Sequence, residues 1–121
     1  MSRRVLVIED NEQNLYLTEF LLTRYGFDVD IARTGGEGVA KAQTAKPDLI
    51  LLDIQLPEMD GYEVARTIRR DPELFSIPIV AVTSYAMPGD QEQALAAGCT
   101  GYIEKPINPE TFIDQIEQFL V

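Results

Sequence analysis

The sequence predicts an α/β fold, a doubly wound parallel sheet of five strands alternating with five helices. Two observations carry that reading. Short apolar runs at 5–8, 49–52 and 77–82 are continuous, the last interrupted only by Pro78 and Ala81, as expected of parallel strands covered on both faces. Segments of helical spacing separate them, and such alternation with short connections gives a parallel sheet flanked by helices.

The first run, 5–8, leads into a helix over about 12–24, with Leu15, Leu22 and Tyr25 on one face and Gly26 as its stop. A weaker strand follows at 27–32. A helix between Thr34 and Thr44 is expected, although Gly35, Gly36 and Gly38 each disfavour it. The strand at 49–52 delivers Asp53, and Asp60 is placed to cap a helix marked by Val64, Ala65 and Ile68. After the strand at 77–82, a helix over about 89–97 stops at Gly98, and a weak strand covers 101–104. The final helix is expected to start at Asn108 with Pro109 in its first position. Its Phe112, Ile113, Ile116, Phe119 and Leu120 form the clearest amphipathic pattern in the chain. With no linker, repeat or low-complexity stretch, residues 1–121 read as one domain.

Composition narrows the chemistry. The absence of histidine excludes Ser-His and Cys-His catalysis and most zinc sites. A net charge of −10 argues against direct nucleic-acid binding. No apolar run approaches the ~20 residues of a membrane span, and Arg3 and Arg4 precede too short an apolar run for a signal peptide. A cytoplasmic location is the expectation. Cys99 is the only cysteine, so no internal disulfide can form, and it reads as a small buried apolar residue. Carboxylates dominate what remains, with Mg²⁺ or Ca²⁺ the matching metals.

In open parallel sheets the site lies beyond the carboxyl ends of the strands. There the first strand runs into Glu9-Asp10-Asn11, the third delivers Asp53, the fourth Thr83, and the fifth is followed by Lys105-Pro106. Singly, these residues are ordinary: an aspartate closing a strand is usually a cap or turn residue, and Lys105 a solvated lysine. Together they are not. Glu9, Asp10 and Asp53 would repel one another at one sheet edge unless a cation intervened, and a hard divalent ion meets that need. Lys105 supplies a further positive charge, and Thr83 a hydroxyl able to donate to a phosphoryl oxygen.

The segments Val7-Ile8-Glu9-Asp10-Asn11, the run 47–61 from Pro47 to Gly61, Val82-Thr83-Ser84 and Gly101-Tyr102-Ile103-Glu104-Lys105-Pro106 resemble response-regulator receiver domains of two-component signalling, and the resemblance spans the whole chain. It implies a flavodoxin-like sheet of order 2-1-3-4-5. It implies Asp53 as the phosphorylation site, with Mg²⁺ held by Asp10, Asp53 and the backbone carbonyl of Gln55, and Glu9 acting mainly through water. Lys105 would pair with the phosphoryl group, its bond to Pro106 typically cis. Thr83 and Tyr102 would form a switch. The face of the fourth helix, fifth strand and fifth helix would be the output surface. Gln55 and Tyr85 would flank the phosphoryl group and influence its lifetime, the bulky Tyr85 by shielding it from water.

The implied partners are a histidine kinase or histidine phosphotransfer protein and a downstream protein target, the receiver being a monomer or a weak phosphorylation-dependent dimer. It would catalyse only its own phosphorylation and dephosphorylation. The acidic pair is Glu9-Asp10 where the family often has Asp-Asp, a variant that keeps the directly ligating residue. A haloacid-dehalogenase-type phosphatase would need a second aspartate where Gln55 stands. A flavin site would bring a phosphate against Glu9, Asp10 and Glu12, and a dinucleotide motif built on Gly36-Glu37-Gly38 lacks its third glycine, Lys41 standing there. A degenerate, docking-only receiver would not need the complete acidic set. Met1, four residues before the first strand, favours a stand-alone receiver over one excised from a hybrid kinase.

Overall fold

The computed structural model describes residues 3–56, 59–84 and 89–120. Five parallel strands, β1 (Arg4–Ile8), β2 (Asp28–Ala32), β3 (Leu49–Asp53), β4 (Ile79–Thr83) and β5 (Gly101–Glu104), form one sheet in the order β2-β1-β3-β4-β5. The helices are α1 (Glu12–Arg24), α2 (Gly35–Ala45), α3 (Gly61–Arg69), α4 (Asp90–Ala96) and α5 (Phe112–Glu117). The flavodoxin-like order expected from the resemblance is the order found.

The continuous apolar runs divide by pleat between two cores, because successive side chains of a strand point to opposite faces. Leu6, Ile8, Ile50, Leu52, Ile79 and Ala81 pack with Ala42 of α2, Val64, Ala65 and Ile68 of α3, and Ala94 of α4. On the other face Val5, Val7, Leu49, Leu51, Val80 and Val82 meet Leu15, Leu21 and Leu22 of α1 and Phe112, Ile113 and Ile116 of α5. Each fully buried side chain of this size contributes about 1.5–3 kcal/mol. In β1, β3 and β4 polar groups are thereby confined to the strand ends.

Helix α2 forms as expected in spite of its glycines, while three other elements depart from expectation. Thr34 caps it, its Oγ1 accepting from the Glu37 amide at 3.1 Å, while the Glu37 carboxylate accepts from the Arg33 amide at 2.7 Å. Gly38 is there for close approach, since a Cβ would come within 2.5 Å of the Ile8 side chain. Helix α5 starts later than Asn108: the Asn108 Oδ1 accepts from the Glu110 amide at 2.9 Å, but it caps a separate turn and the helix opens at Phe112. A 3₁₀ turn at Pro72–Leu74, capped by Asp71 with proline in its first turn, was not anticipated. Strand β4 begins at Ile79, after Pro78, which has no amide to donate to a ladder.

Candidate functional site

The register brings the carboxyl ends of the strands to one edge. Ile8 lies beside Ala32 and Leu52, Asp53 beside Val82, and Thr83 beside Glu104. Backbone bonds carry the alignment past the strands, Glu9 N donating to Ala32 O at 2.9 Å and Lys105 N to Thr83 O at 2.7 Å. The residues that sequence reasoning set at four strand ends therefore meet. Glu9, Asp53 and Thr83 are buried, and Asp10 is exposed at the rim.

One carboxylate oxygen each from Glu9, Asp10 and Asp53 lies within 4.8 Å of the others. This all-oxygen set, open to solvent at Asp10, suits a hard divalent cation such as Mg²⁺. The Lys105 ammonium reaches into the cluster, 2.8 Å from Glu9 Oε1 and 3.4 Å from Asp53 Oδ1. The shorter contact is to Glu9, a pairing the sequence did not indicate. Burial and a hydrogen bond to Asp53, opposed by Lys105, together push the Glu9 carboxyl up to about 7. Among the described residues Lys105 is the one ammonium paired with these carboxylates, which leaves the acidic cluster in electrostatic need of further positive charge.

Gln55 joins two strand ends: its amide donates to Asp53 Oδ1 at 3.0 Å, and its side-chain oxygen accepts from the Ser84 amide at 3.4 Å. The Lys105-Pro106 bond is cis. Tyr102 is half-buried on β5 against the core that contains α3 and α4. Tyr85 lies outside the described residues.

Helix α3 is seated directly on the site. The Gly61 amide donates to Ile54 O at 3.0 Å, and a Cβ there would stand 2.4 Å from Ile54 Cα and 2.8 Å from Asp53 O. A second feature escaped the sequence reading. Tyr16 and Phe20 of α1 are exposed, their rings stacked with centroids 6.4 Å apart, beside a groove lined by Glu12, Gln13 and Leu17. The signal was present as an i, i+4 aromatic pair off the Leu15–Leu22 stripe.

A family model described as the response regulator receiver domain matches residues 5–117. The chain belongs to the response-regulator receiver family. Among relatives of this receiver, the polar-differentiation response regulator DivK of Brucella ovis is 43% identical over 120 residues, covering 99% of this chain and 98% of that protein. The solved structure of the chemotaxis response regulator CheY4 of Vibrio cholerae matches the receiver with a TM-score of 0.94 and 31% identity, over 99% of this chain and 100% of that one. The receiver domain of the sensor histidine kinase PA1611 of Pseudomonas aeruginosa, solved with a magnesium ion coordinated in its active-site cleft, matches with a TM-score of 0.91 and 32% identity, over 99% and 98% of the two chains. The receiver is thus a module of two-component signalling.

Proposed function

We propose that this receiver takes a phosphoryl group onto Asp53 from a phosphohistidine of a histidine kinase or histidine phosphotransfer protein, and signals to a downstream protein through the α4-β5-α5 face. The observation that carries the reading is the gathering of Glu9, Asp10 and Asp53 around the Lys105 ammonium at one edge of the sheet.

In the transfer, an Asp53 carboxylate oxygen forms a bond to phosphorus in line with the breaking N–P bond of the phosphohistidine. The bonding pair returns to the ring nitrogen, and a ring protonated on its other nitrogen leaves as neutral imidazole. Asp10, Asp53 and the Gln55 backbone carbonyl, with Glu9 acting through water, would hold Mg²⁺, which would supply charge compensation to the phosphoryl oxygens. Lys105, already 3.4 Å from Asp53, pairs with a further phosphoryl oxygen. The Thr83 hydroxyl donates to another, and the Tyr102 ring turns inward in response. Gln55 flanks the acyl phosphate and influences how long it survives before water attacks phosphorus, releasing inorganic phosphate and restoring the carboxylate.

The receiver turns over no other substrate in this reading, and works in the cytoplasm as a monomer or weak phosphorylation-dependent dimer. Among the described residues no helix is long and apolar enough to cross a membrane. The donor rests on the exposed Tyr16–Phe20 face of α1, which begins two residues beyond Asp10 and so borders the acidic edge.

Incubation with Mg²⁺ and acetyl phosphate tests the reading. The wild type acquires an acid-stable, base-labile phosphoryl group, while Asp53→Asn, or wild type in excess EDTA, does not. Equal labelling of wild type and Asp53→Asn would refute it.

A further inference from the structure

Residues 89–121 hold six acidic residues and a single basic one, Lys105, so about a quarter of the chain carries half of its net charge of −10. Lys105 is engaged inside the cleft, 10% exposed and paired with Glu9 and Asp53. Five of the acids are exposed: Glu92 of α4, Glu104 of β5, Glu110, and Asp114 and Glu117 of α5. Among the described residues none of these five has a cationic partner. Elsewhere on the surface acids are interleaved with bases. Asp30 meets Arg4, Glu12 meets Arg33, Glu73 meets Lys46 and Glu63 meets Arg66, at 2.8–3.5 Å.

The acids share one face because β5 is an edge strand. Its Tyr102 packs into the core that contains Ala94 of α4, and its Ile103 into the core that contains Phe112, Ile113 and Ile116 of α5. The two helices therefore flank the free edge of the strand. Leu95, 52% exposed, stands one turn from Glu92 on α4 and adds an apolar foothold. Local helix electrostatics account for only part of the charge. Glu92 and Asp114 lie in first turns, where the helix dipole favours anions. Glu117 is the last residue of α5, where the dipole disfavours an anion, and it stands three residues from Asp114, so the like charges repel. The fold gains nothing from it.

We propose that the α4-β5-α5 face docks a lysine- and arginine-rich segment of the downstream protein and is closed to a second copy of the receiver. This partner chemistry rests on the proposed reading of the face as the signalling surface. A basic segment meets unpaired carboxylates on all three elements, and the attraction speeds encounter in a salt-dependent way. Nucleic acid and anionic lipid surfaces are repelled. A symmetric dimer presents the same patch from both subunits, and here that sets acid against acid with no exposed cation on either side. A phosphorylation-dependent dimer of this receiver therefore uses another surface.

Amide chemical-shift titration of the full chain with a decalysine peptide, with Mg²⁺ present to fill the cleft, tests the docking. At low salt the shifts should gather around residues 92, 104, 110, 114 and 117. Affinity should fall about tenfold in the triple variant Glu104→Gln, Asp114→Asn, Glu117→Gln. It should stay within about twofold of wild type in a control of equal charge, Glu19→Gln, Asp28→Asn, Glu73→Gln. Shifts gathered elsewhere, or equal weakening in the two variants, overturn the docking face. With beryllofluoride and Mg²⁺ as a phosphoryl mimic, a wild-type dimer whose shifts map to this face at low salt overturns its closure to a second copy. Labelling from acetyl phosphate keeps the failures apart: a labelled protein that binds the peptide elsewhere overturns the docking face, and an unlabelled one that binds it here overturns the phosphoryl reading.

Discussion

Replacing Gly61 by alanine should be costly for a reason that has nothing to do with backbone freedom. The added Cβ would stand 2.4 Å from Ile54 Cα, with Asp53 O at 2.8 Å and Ile54 O at 2.9 Å. Ordinary carbon contacts lie near ~3.5 Å, so the first turn of α3 must retreat by roughly 1 Å. Every atom it meets is backbone at the end of a central strand and cannot rotate away. The retreat breaks the bond from Gly61 N to Ile54 O, now 3.0 Å, a loss of about 1 kcal/mol. Residual overpacking adds about 1–3 kcal/mol. Helix propensity returns at most ~1 kcal/mol. The net cost is about 1–3 kcal/mol.

At an unfolding entropy of roughly 2.1 cal/mol/K per residue, each kcal/mol moves the melting midpoint of a chain this size by ~4 °C, so Gly61→Ala should melt roughly 4–12 °C lower. Gly36→Ala is the control. It sits in α2 with nothing within 4 Å of the added methyl, and should gain up to ~1 kcal/mol. Thermal and urea unfolding of both variants measure the contrast. Because the displaced turn leans on Asp53 itself, labelling of Gly61→Ala by acetyl phosphate should also slow, by up to ~100-fold for a 1 Å misplacement. Gly61→Ala melting with or above wild type would refute the argument from close approach.

Two further outcomes follow from groups away from the acidic cluster. Burial, opposed by Arg69, pushes the Cys99 thiol up to about 11, so its reaction with a maleimide at pH 8 should be at least ~100-fold slower than that of a free thiol of pKa ≈ 8.5. The fold binds this proton more tightly than the unfolded chain does. Its contribution to stability is therefore complete below the ordinary value of 9.0 and lost as pH rises through about 11, which urea midpoints across pH 8–11 would record. Phe20→Ala removes an exposed ring of α1 and should change stability by less than ~0.5 kcal/mol. It should slow phosphoryl transfer from a phosphohistidine protein about tenfold, the scale of one truncated interface aromatic, with acetyl phosphate labelling unchanged; equal slowing with both donors would place Phe20 in the chemistry instead.

The acidic cleft could be located from sequence because a parallel sheet makes one global fact out of several local ones. Each of Glu9, Asp53, Thr83 and Lys105 follows or closes a strand, and parallel topology sends all those ends to one edge. No long-range pairing had to be guessed for the site to appear. The missed features each depend on distance between elements. Local propensity counted Gly38 against α2, yet its lack of a side chain is what lets that helix reach Ile8. The cap at Asn108 and the proline after it specify the start of a turn, and whether the turn continues as helix depends on where Phe112 finds the core.

The same distinction governs the electrostatics. Sequence order places Lys105 at the site, but only the packed structure shows it 2.8 Å from Glu9 and 3.4 Å from Asp53. The nearer pairing leaves Lys105 bridging the acidic loop after β1 and the acceptor at the end of β3. A charge added at Asp53 therefore competes with Glu9 for the same ammonium, so phosphorylation would bear on the β1–α1 loop as well as on α3. Asp53 is thus in contact with two elements at once, through Lys105 on one side and the Gly61 approach on the other.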